Sequence, residues 1–200
     1  MQAKGKFSKK QIDLLILSIL FLTIFFPKDL VGEDLNFKIE KYVKNLNSFS
    51  SKFIQLNGSS IEEGYIYIKD TKIRIDYFNP KRTLKISKKK GVYINHELEE
   101  EEFFSTEKNI VKIFYDIFLD VNFFSSLVPH IGNGEIVYQK TITIEKNDVY
   151  LKIIFENSPL LLKKITSESD DEIISISFND HNYNSSLERD FFSFVPKYPN

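Results

Sequence analysis

The stretch GYIYIKDTKIRIDYFNP, residues 64–80, decides the fold class predicted for this chain. It holds two runs rich in β-branched and aromatic residues, 64–69 and 72–78, which are long enough for two neighbouring antiparallel strands. Apolar side chains occupy both faces of these runs. One face is therefore expected to pack on something besides the usual core: a helix, a second sheet or a ligand.

The period-two alternation of a strand divides these side chains between two faces. The aliphatic set is predicted to line the concave side: Ile66, Ile68, Ile73 and Ile75. Arg74 lies on the opposite face of its strand from Ile73 and Ile75. An ordinary two-sided core under helices is the alternative for these residues.

Most of the remaining chain has strand patterns, but two stretches have helical spacing instead. Apolar residues recur at the period of a helix in residues 34–47 and again in residues 109–127. Short, turn-rich connections separate the strands, so antiparallel neighbours are expected. The sequence predicts a mainly-β α+β fold: an open barrel or strongly curved antiparallel sheet whose concave side holds the helices.

Composition narrows the class of protein. The 200 residues carry a formal net charge of −1 and are 42% hydrophobic, which fits one globular domain without the charge excess of a nucleic-acid binder. Cysteine is absent, which excludes disulfides, thiolate metal sites, a cysteine nucleophile and a lipidated N-terminal cysteine. Phenylalanine, with 19 copies, supplies much of the apolar surface.

The N-terminus is predicted to be a secretory signal peptide, residues 1–32. Four lysines precede an apolar run of 13 residues, 14–26, which is shorter than the roughly 20 residues that cross a bilayer. With cleavage near Gly32, one domain of residues 33–200 is expected in the periplasm. An uncleaved membrane anchor is the alternative, and in both cases the domain lies outside the cytoplasm.

The sequence has no pattern typical of a catalytic site. The three histidines, His96, His130 and His181, lack the spacing of metal ligands, and no nucleophile elbow, P-loop or dinucleotide fingerprint occurs. Asp170 and Asp171 fit a turn between strands better than a pair of catalytic carboxylates. We expect a protein that is not an enzyme and that needs no metal or cofactor.

Five segments follow one another along residues 35–196: SFSSKFIQ, GYIYIKDTKIRIDYFNP, LKISKKKGVYIN, ISISFND and NSSLERDFFSFVP. In this order, with a helix in mid-chain, they resemble the periplasmic outer-membrane lipoprotein carrier family, LolA. The resemblance implies a half-open antiparallel β-barrel whose helices form a lid over an apolar cavity.

The resemblance also implies a function. Such carriers take lipoprotein acyl chains from an inner-membrane ABC transporter, cross the periplasm and deliver the cargo to an outer-membrane acceptor. This chain is accordingly expected to be a monomeric carrier with these partners. A glycolipid carrier, or an envelope-stress protein that senses lipids or lipoproteins on the same fold, is the alternative.

The mid-chain helix is expected to close the cavity when no cargo is bound. Its apolar side chains can replace the methylenes of the cargo, each of which contributes about 0.8 kcal/mol when buried. Together with the strand residues, the expected lipid-binding set is Ile66, Ile68, Ile73, Ile75, Phe114, Ile117, Phe118 and Phe124. The same side chains also suit an ordinary core.

Two cations are the expected contacts of the lid. Family members carry an Arg-Pro pair at the end of the strand that corresponds to GYIYI, where this chain has Lys69, Asp70 and Thr71. Lys69 can donate similar hydrogen bonds, but without the planar fork of arginine. Arg74 matches the second arginine of the family's strand; a position at the sheet edge, or a pair with Asp76, is its alternative role.

Runs of opposite charge occupy residues 81–90, which are rich in lysine, and residues 97–102, which are rich in glutamate. Exposed pairs contribute only about 0–1 kcal/mol each, so a solvated outer face is the favoured interpretation. A docking patch for the transporter or the acceptor is the alternative.

Overall fold

The structure is a computed structural model that describes residues 29–107, 111–144, 146–170 and 172–198, without the side chains of residues 29–34 and 189. Most of the predicted signal peptide, residues 1–28, lies outside these ranges. Residues 29–32 belong to the first helix. None of the helices within the described ranges has both the length and the apolar character needed to cross a bilayer.

The described residues form two α-helices, eleven strands and one short 3-10 helix. The elements are α1 (Asp29–Lys44), β1 (Phe49–Asn57), β2 (Ser60–Lys69), β3 (Lys72–Tyr77), β4 (Arg82–Ile86), β5 (Lys90–Asn95), β6 (Glu100–Ser105), α2 (Val111–Leu119), β7 (His130–Gly132), β8 (Glu135–Ile144), β9 (Asn147–Asn157), β10 (Leu160–Glu168), β11 (Ile173–Asn182) and the 3-10 helix Arg189–Phe192.

The strands form one antiparallel sheet in the order β6-β5-β4-β3-β2-β1-β11-β10-β9-β8-β7. One meander, β1 to β6, meets a second, β7 to β11, where β1 pairs with β11. The connection from β6 to β7 contains α2 and links the two edges of the sheet, which is not closed. The prediction of an antiparallel, mainly-β α+β fold is therefore confirmed.

The hairpin of β2 and β3 follows directly from the stretch that predicted it. Ile66 lies opposite Ile75, and Ile68 lies opposite Ile73. The two residues between the strands, Asp70 and Thr71, have φ values of 47° and 61°. A turn with both central residues in the left-handed region matches the right-handed twist of the strands it joins.

The core lies between the inner face of the sheet and the two helices. One stripe of each helix is buried: Leu35, Ile39, Tyr42, Val43 and Leu46 in α1, and Ile113, Ile117 and Phe118 in α2. Asn36 connects the elements around this core. Its side-chain amide donates to the carbonyl oxygen of Leu127 at 3.0 Å and accepts a hydrogen bond of 2.8 Å from the hydroxyl of Tyr138.

The C-terminal segment, residues 185–198, crosses the outer face of the first meander. It begins beside β1, where the amide of Ser185 donates to the carbonyl oxygen of Ser48 at 2.9 Å. It reaches β6, where the carboxylate of Glu101 accepts hydrogen bonds from the amides of Lys197 and Tyr198 at 2.6 and 3.2 Å. Along these strands the helices cover the inner face of the sheet, and this segment covers part of the outer face.

Candidate functional site

An apolar cavity of about 160 Å³ lies between the inner face of the sheet and α2. Strands of both meanders contribute to its walls, and α2 contributes Val111 and Phe114. Ten of its twelve lining residues are apolar or aromatic: Phe53, Ile66, Ile75, Tyr77, Leu84, Val111, Phe114, Ile174, Ile176 and Phe178. A cavity of about 150 Å³ with such walls is large enough for one benzene ring.

A second, much smaller space of about 10 Å³ adjoins this cavity. Phe114, Ser167, Ile174 and Ile176 line both spaces. Phe114 is only half-buried and is the residue of α2 that lines both spaces.

Three of the eight residues predicted to bind lipid line the cavity: Ile66, Ile75 and Phe114. The other five are at most 1% exposed and belong to the closely packed core: Ile68, Ile73, Ile117, Phe118 and Phe124. Phe118 packs edge-on against Phe178, with ring centroids 5.8 Å apart. These five residues belong to the core around the cavity and do not line it.

Several wall residues were missed by sequence reasoning, above all those of β11. Ile174, Ile176 and Phe178 alternate along this strand and face the cavity. The alternation was visible in the sequence, but the pairing of β11 with β1, which brings these residues beside Phe53, was not. Phe53 itself packs edge-on against Tyr77 at 5.3 Å.

A polar cluster lies on the same inner face, next to the cavity. The Arg82 guanidinium forms an ion pair with Glu62 and lies 4.8 Å from the ring centroid of Tyr77. Gln55, which lines the cavity, donates from its amide to the Glu62 carboxylate at 3.2 Å. Burial, and next the negative charge of Glu62, raise the pKa of Tyr77 to about 12, so its hydroxyl keeps its proton. Apolar walls beside such a cluster suit an amphiphile.

The two cations expected to contact the lid bind the C-terminal segment instead. Arg74 donates to the carbonyl oxygen of Phe191 at 2.9 Å, and Lys69 donates to the carbonyl oxygen of Leu187. The physical reason is strand alternation: Ile68 and Ile73 face the helices, so their neighbours Lys69 and Arg74 face outward. The alternative pairing of Arg74 with Asp76 is present, at 2.9 Å.

Members of the two charge runs also hold the C-terminal segment. Lys85 of the first run donates to the carbonyl oxygen of Ser193 at 2.6 Å. Glu101 of the second run accepts a hydrogen bond from the backbone amide of Lys197. Burial first, and then the nearby Arg74, lower the pKa of Lys85. These contacts are structural, and they involve only part of each run.

No group of three or more acidic or histidine side chains in the described part of the chain is arranged to hold a metal ion. His96 lies on the outer face, where its Nε2 is 3.0 Å from the hydroxyl of Thr83. His181 lies beside β10, and its Nε2 is 2.8 Å from the carbonyl oxygen of Leu162.

The fold is similar to that of an uncharacterized conserved protein from Thermus thermophilus, with a TM-score of 0.53 and 8% identity over 80% of this chain and 94% of that one. Weaker likenesses include MucB in complex with MucA(peri), with a TM-score of 0.42 and 10% identity over 82% of this chain and 60% of that one. Another is the hypothetical protein CT021 from Chlamydia trachomatis, with a TM-score of 0.41 and 11% identity over 81% of this chain and 97% of that one. No protein-family model and no curated sequence matches the chain.

Proposed function

We propose that this protein is a periplasmic carrier that binds lipoprotein acyl chains in the cavity under α2. It takes them from an inner-membrane ABC transporter and delivers them to an outer-membrane acceptor. The observation that carries the proposal is the apolar cavity itself, ten of whose twelve lining residues are apolar or aromatic. The resemblance of the five sequence segments to the LolA family supplies the class of cargo and the two partners.

The size of the cavity makes α2 the moving part of this mechanism. About 160 Å³ accommodates a group the size of a benzene ring, so an acyl chain needs additional room. Phe114 is a half-buried ring of α2 that lines both the cavity and the smaller space beside it. Movement of this ring, followed by displacement of α2, opens a longer apolar channel along the inner face of the sheet.

Two opposing free-energy terms make the binding of an acyl chain reversible. Each methylene of the cargo contributes about 0.8 kcal/mol on burial, but the rings and aliphatic side chains of α2 lose their own contacts when they are displaced. The net affinity is the difference between these two terms. Because the side chains of α2 regain these contacts when the cargo leaves, the cargo can be released to an acceptor.

The sharpest test fills the cavity without opening the core. Ser167 is a small, half-buried wall residue, and Ser167→Phe is expected to lower the affinity of a fluorescent acyl probe by at least roughly tenfold, because the ring occupies the probe's space. Ser177→Phe is the matched control, since Ser177 lies on β11 beside Lys164, on the outward side of the sheet. Equal affinities in both variants would contradict a cavity-bound acyl chain.

Cargo and partners need a second experiment. Protein purified from cell envelopes is expected to carry lipoprotein acyl chains, identified by mass spectrometry, and to release lipoprotein from spheroplasts. Glycolipid in place of lipoprotein would support the alternative carrier. Acyl-probe binding without release from spheroplasts would instead favour the lipid-sensing alternative.

A further inference from the structure

A polar groove of about 620 Å³ lies mostly on the outer face of the sheet and extends to the ends of β3 and β4, where Tyr77 and Arg82 of the inner-face cluster also line it. Its floor contains Arg74, Asp76 and Thr83 from β3 and β4. Lys197 contributes to the rim from the C-terminal segment. Neither the acyl-binding proposal nor the contacts that hold the C-terminal segment require such a groove.

One wall of the groove is aromatic. The ring of Tyr65 lies 5.5 Å from that of Phe78 and 6.0 Å from that of Tyr67. Tyr65 is 38% exposed and Phe78 is 48% exposed, so the ring faces are accessible to a ligand. Exposed rings of this kind bind the flat, apolar face of a ring-containing molecule.

The carboxylate on the floor of the groove, Asp76, is already paired with a positive charge, that of Arg74. Asp76 accepts hydrogen bonds from Nε of Arg74 at 2.9 and 3.0 Å and from the hydroxyl of Thr83 at 2.6 Å. Arg82, which also lines the groove, is paired with Glu62. These groups are therefore fixed in place and largely neutral as pairs.

The rim, by contrast, carries two ammonium groups that take part in no ion pair within the described residues. These are Lys81 and Lys197. The nearby carboxylates of Glu97 and Glu101 accept hydrogen bonds from the backbone amides of Lys81 and Lys197 at 3.4 and 2.6 Å. The ammonium groups thus remain available to an anion.

The potential inside the groove is consistent with an anion site. His96 lines the groove, and its pKa is lowered by burial first and then by the positive charges of Lys197 and Lys81. Asp76 acts in the opposite direction, and Arg74 adds to the lowering. The lowered pKa favours the neutral imidazole of His96, whose Nε2 lies 3.0 Å from the hydroxyl of Thr83 and whose Nδ1 lies 3.0 Å from the hydroxyl of Tyr198.

We propose that this groove binds a phosphate ester whose organic part has a flat apolar face, as in a sugar phosphate or the phosphorylated sugar headgroup of a lipid. Lys81 and Lys197 bind the phosphate oxygens, and the wall of Tyr65, Tyr67 and Phe78 contacts the ring of the ligand. Strand alternation places the floor residues Arg74, Asp76 and Thr83 on the opposite face of the sheet from the proposed acyl cavity, although Tyr77 lines both spaces.

The test titrates the full chain with a hexose phosphate, inorganic phosphate and the unphosphorylated hexose by calorimetry. We expect the hexose phosphate to bind most tightly of the three. Its affinity should decrease with added salt, since the cations are exposed. The double variant Lys81→Gln/Lys197→Gln is expected to lose roughly tenfold in affinity, as for the loss of one or two charge-assisted hydrogen bonds. Phe78→Ser is expected to remove the preference for hexose phosphate over inorganic phosphate.

The matched control is Lys88→Gln/Lys89→Gln, which changes the net charge by the same amount at two exposed lysines outside the groove. Equal weakening in both double variants would overturn the proposal, because it would show a general charge effect. The absence of saturable binding to every probe would also overturn it.

Vesicles distinguish the two sources of the phosphate ester. Binding to phosphatidylcholine vesicles that contain a phosphorylated glycolipid, lost in Lys81→Gln/Lys197→Gln, supports the site and assigns it to a lipid headgroup. Binding of the free hexose phosphate alone supports the site and assigns it to a soluble ligand. Vesicle binding that is equal in the groove variant and its control, with no binding of the free ester, contradicts the proposal.

Discussion

The guanidinium of Arg74 lies 3.9 Å from the ring centroid of Phe191 and donates a hydrogen bond of 2.9 Å to the carbonyl oxygen of the same residue. The ring also packs edge-on against Tyr67, at 4.9 Å. One arginine of β3 therefore holds the C-terminal segment through a cation–π contact and a charge-assisted hydrogen bond.

Arg74→Leu is expected to lower the free energy of unfolding by about 1.5–3 kcal/mol, since it removes a hydrogen bond to a charged group. Amide hydrogen exchange in the C-terminal segment should become faster, whereas acyl-probe binding in the cavity should not change. Arg74→Lys keeps the charge without the planar fork. Its free energy of unfolding and its exchange rates should lie between those of the unmodified chain and those of Arg74→Leu. Unchanged exchange together with weaker probe binding would instead indicate a role of Arg74 at the helix.

Two phenylalanines of α2 should respond differently to truncation. Phe118 is 0% exposed, so Phe118→Ala is expected to cost about 3–5 kcal/mol in the free energy of unfolding. Phe114 is half-buried and lines the cavity, so Phe114→Ala should cost less and should tighten acyl-probe binding by enlarging the space. Denaturant unfolding and probe titration measure the two effects. Similar costs with unchanged probe affinity would show that Phe114 is an ordinary core residue.

Gly64 is required by a close approach of the backbone. A Cβ atom there would lie 2.1 Å from the carbonyl oxygen of Asp76 and 2.8 Å from a ring carbon of Phe53. Gly64→Ala is expected to lower the free energy of unfolding by about 1–3 kcal/mol or more, because the β3 backbone must shift. Gly91→Ala is the comparison: the atoms nearest to its Cβ would be ring carbons of Phe104, the first 2.2 Å away, and this ring lies on the edge strand β6, where it can move. A larger loss for Gly91→Ala in urea unfolding would contradict this explanation.

The free energy of unfolding should decrease as the pH is lowered, and His181 should cause part of this decrease. Burial lowers the pKa of His181, and its Nε2–H donates to the carbonyl oxygen of Leu162 at 2.8 Å. Since the pKa in the folded state lies below that in the unfolded state, the unfolded chain binds the proton first as the pH drops. The contribution is fully present above the ordinary histidine pKa of about 6.5 and is lost as the pH falls toward the lower, folded-state value.

Urea unfolding at about pH 7.5 and about pH 5.5, on either side of that ordinary pKa, tests this expectation. The pH-dependent loss should be smaller in His181→Gln than in the unmodified chain. It should persist in His130→Gln, since His130 is exposed on β7. Part of the loss should also remain in His181→Gln, because the pKa of His96 is lowered as well. Identical pH dependence in all three proteins would exclude His181 as a cause.

Local pattern in the sequence was sufficient for most of the strands and for the grouping of side chains on the two faces of the β2–β3 hairpin, but not for β7, whose region was predicted to be a loop. The alternation of Ile66, Ile68, Ile73 and Ile75 determined which side chains are buried together, because the period of a strand is a property of the backbone alone. The helical spacing of residues 111–119 likewise determined which stripe of α2 is buried.

Only the tertiary structure decided what covers each face and which of the buried residues line a cavity. Arg74 was predictable as outward-facing, but Phe191, its partner, lies 117 residues further along the chain. The pairing of β1 with β11 is equally distant in sequence, and it brings Ile176 to the same cavity as Ile66. Periodicity specifies a face within one element, whereas the partner of that face depends on how the whole chain packs.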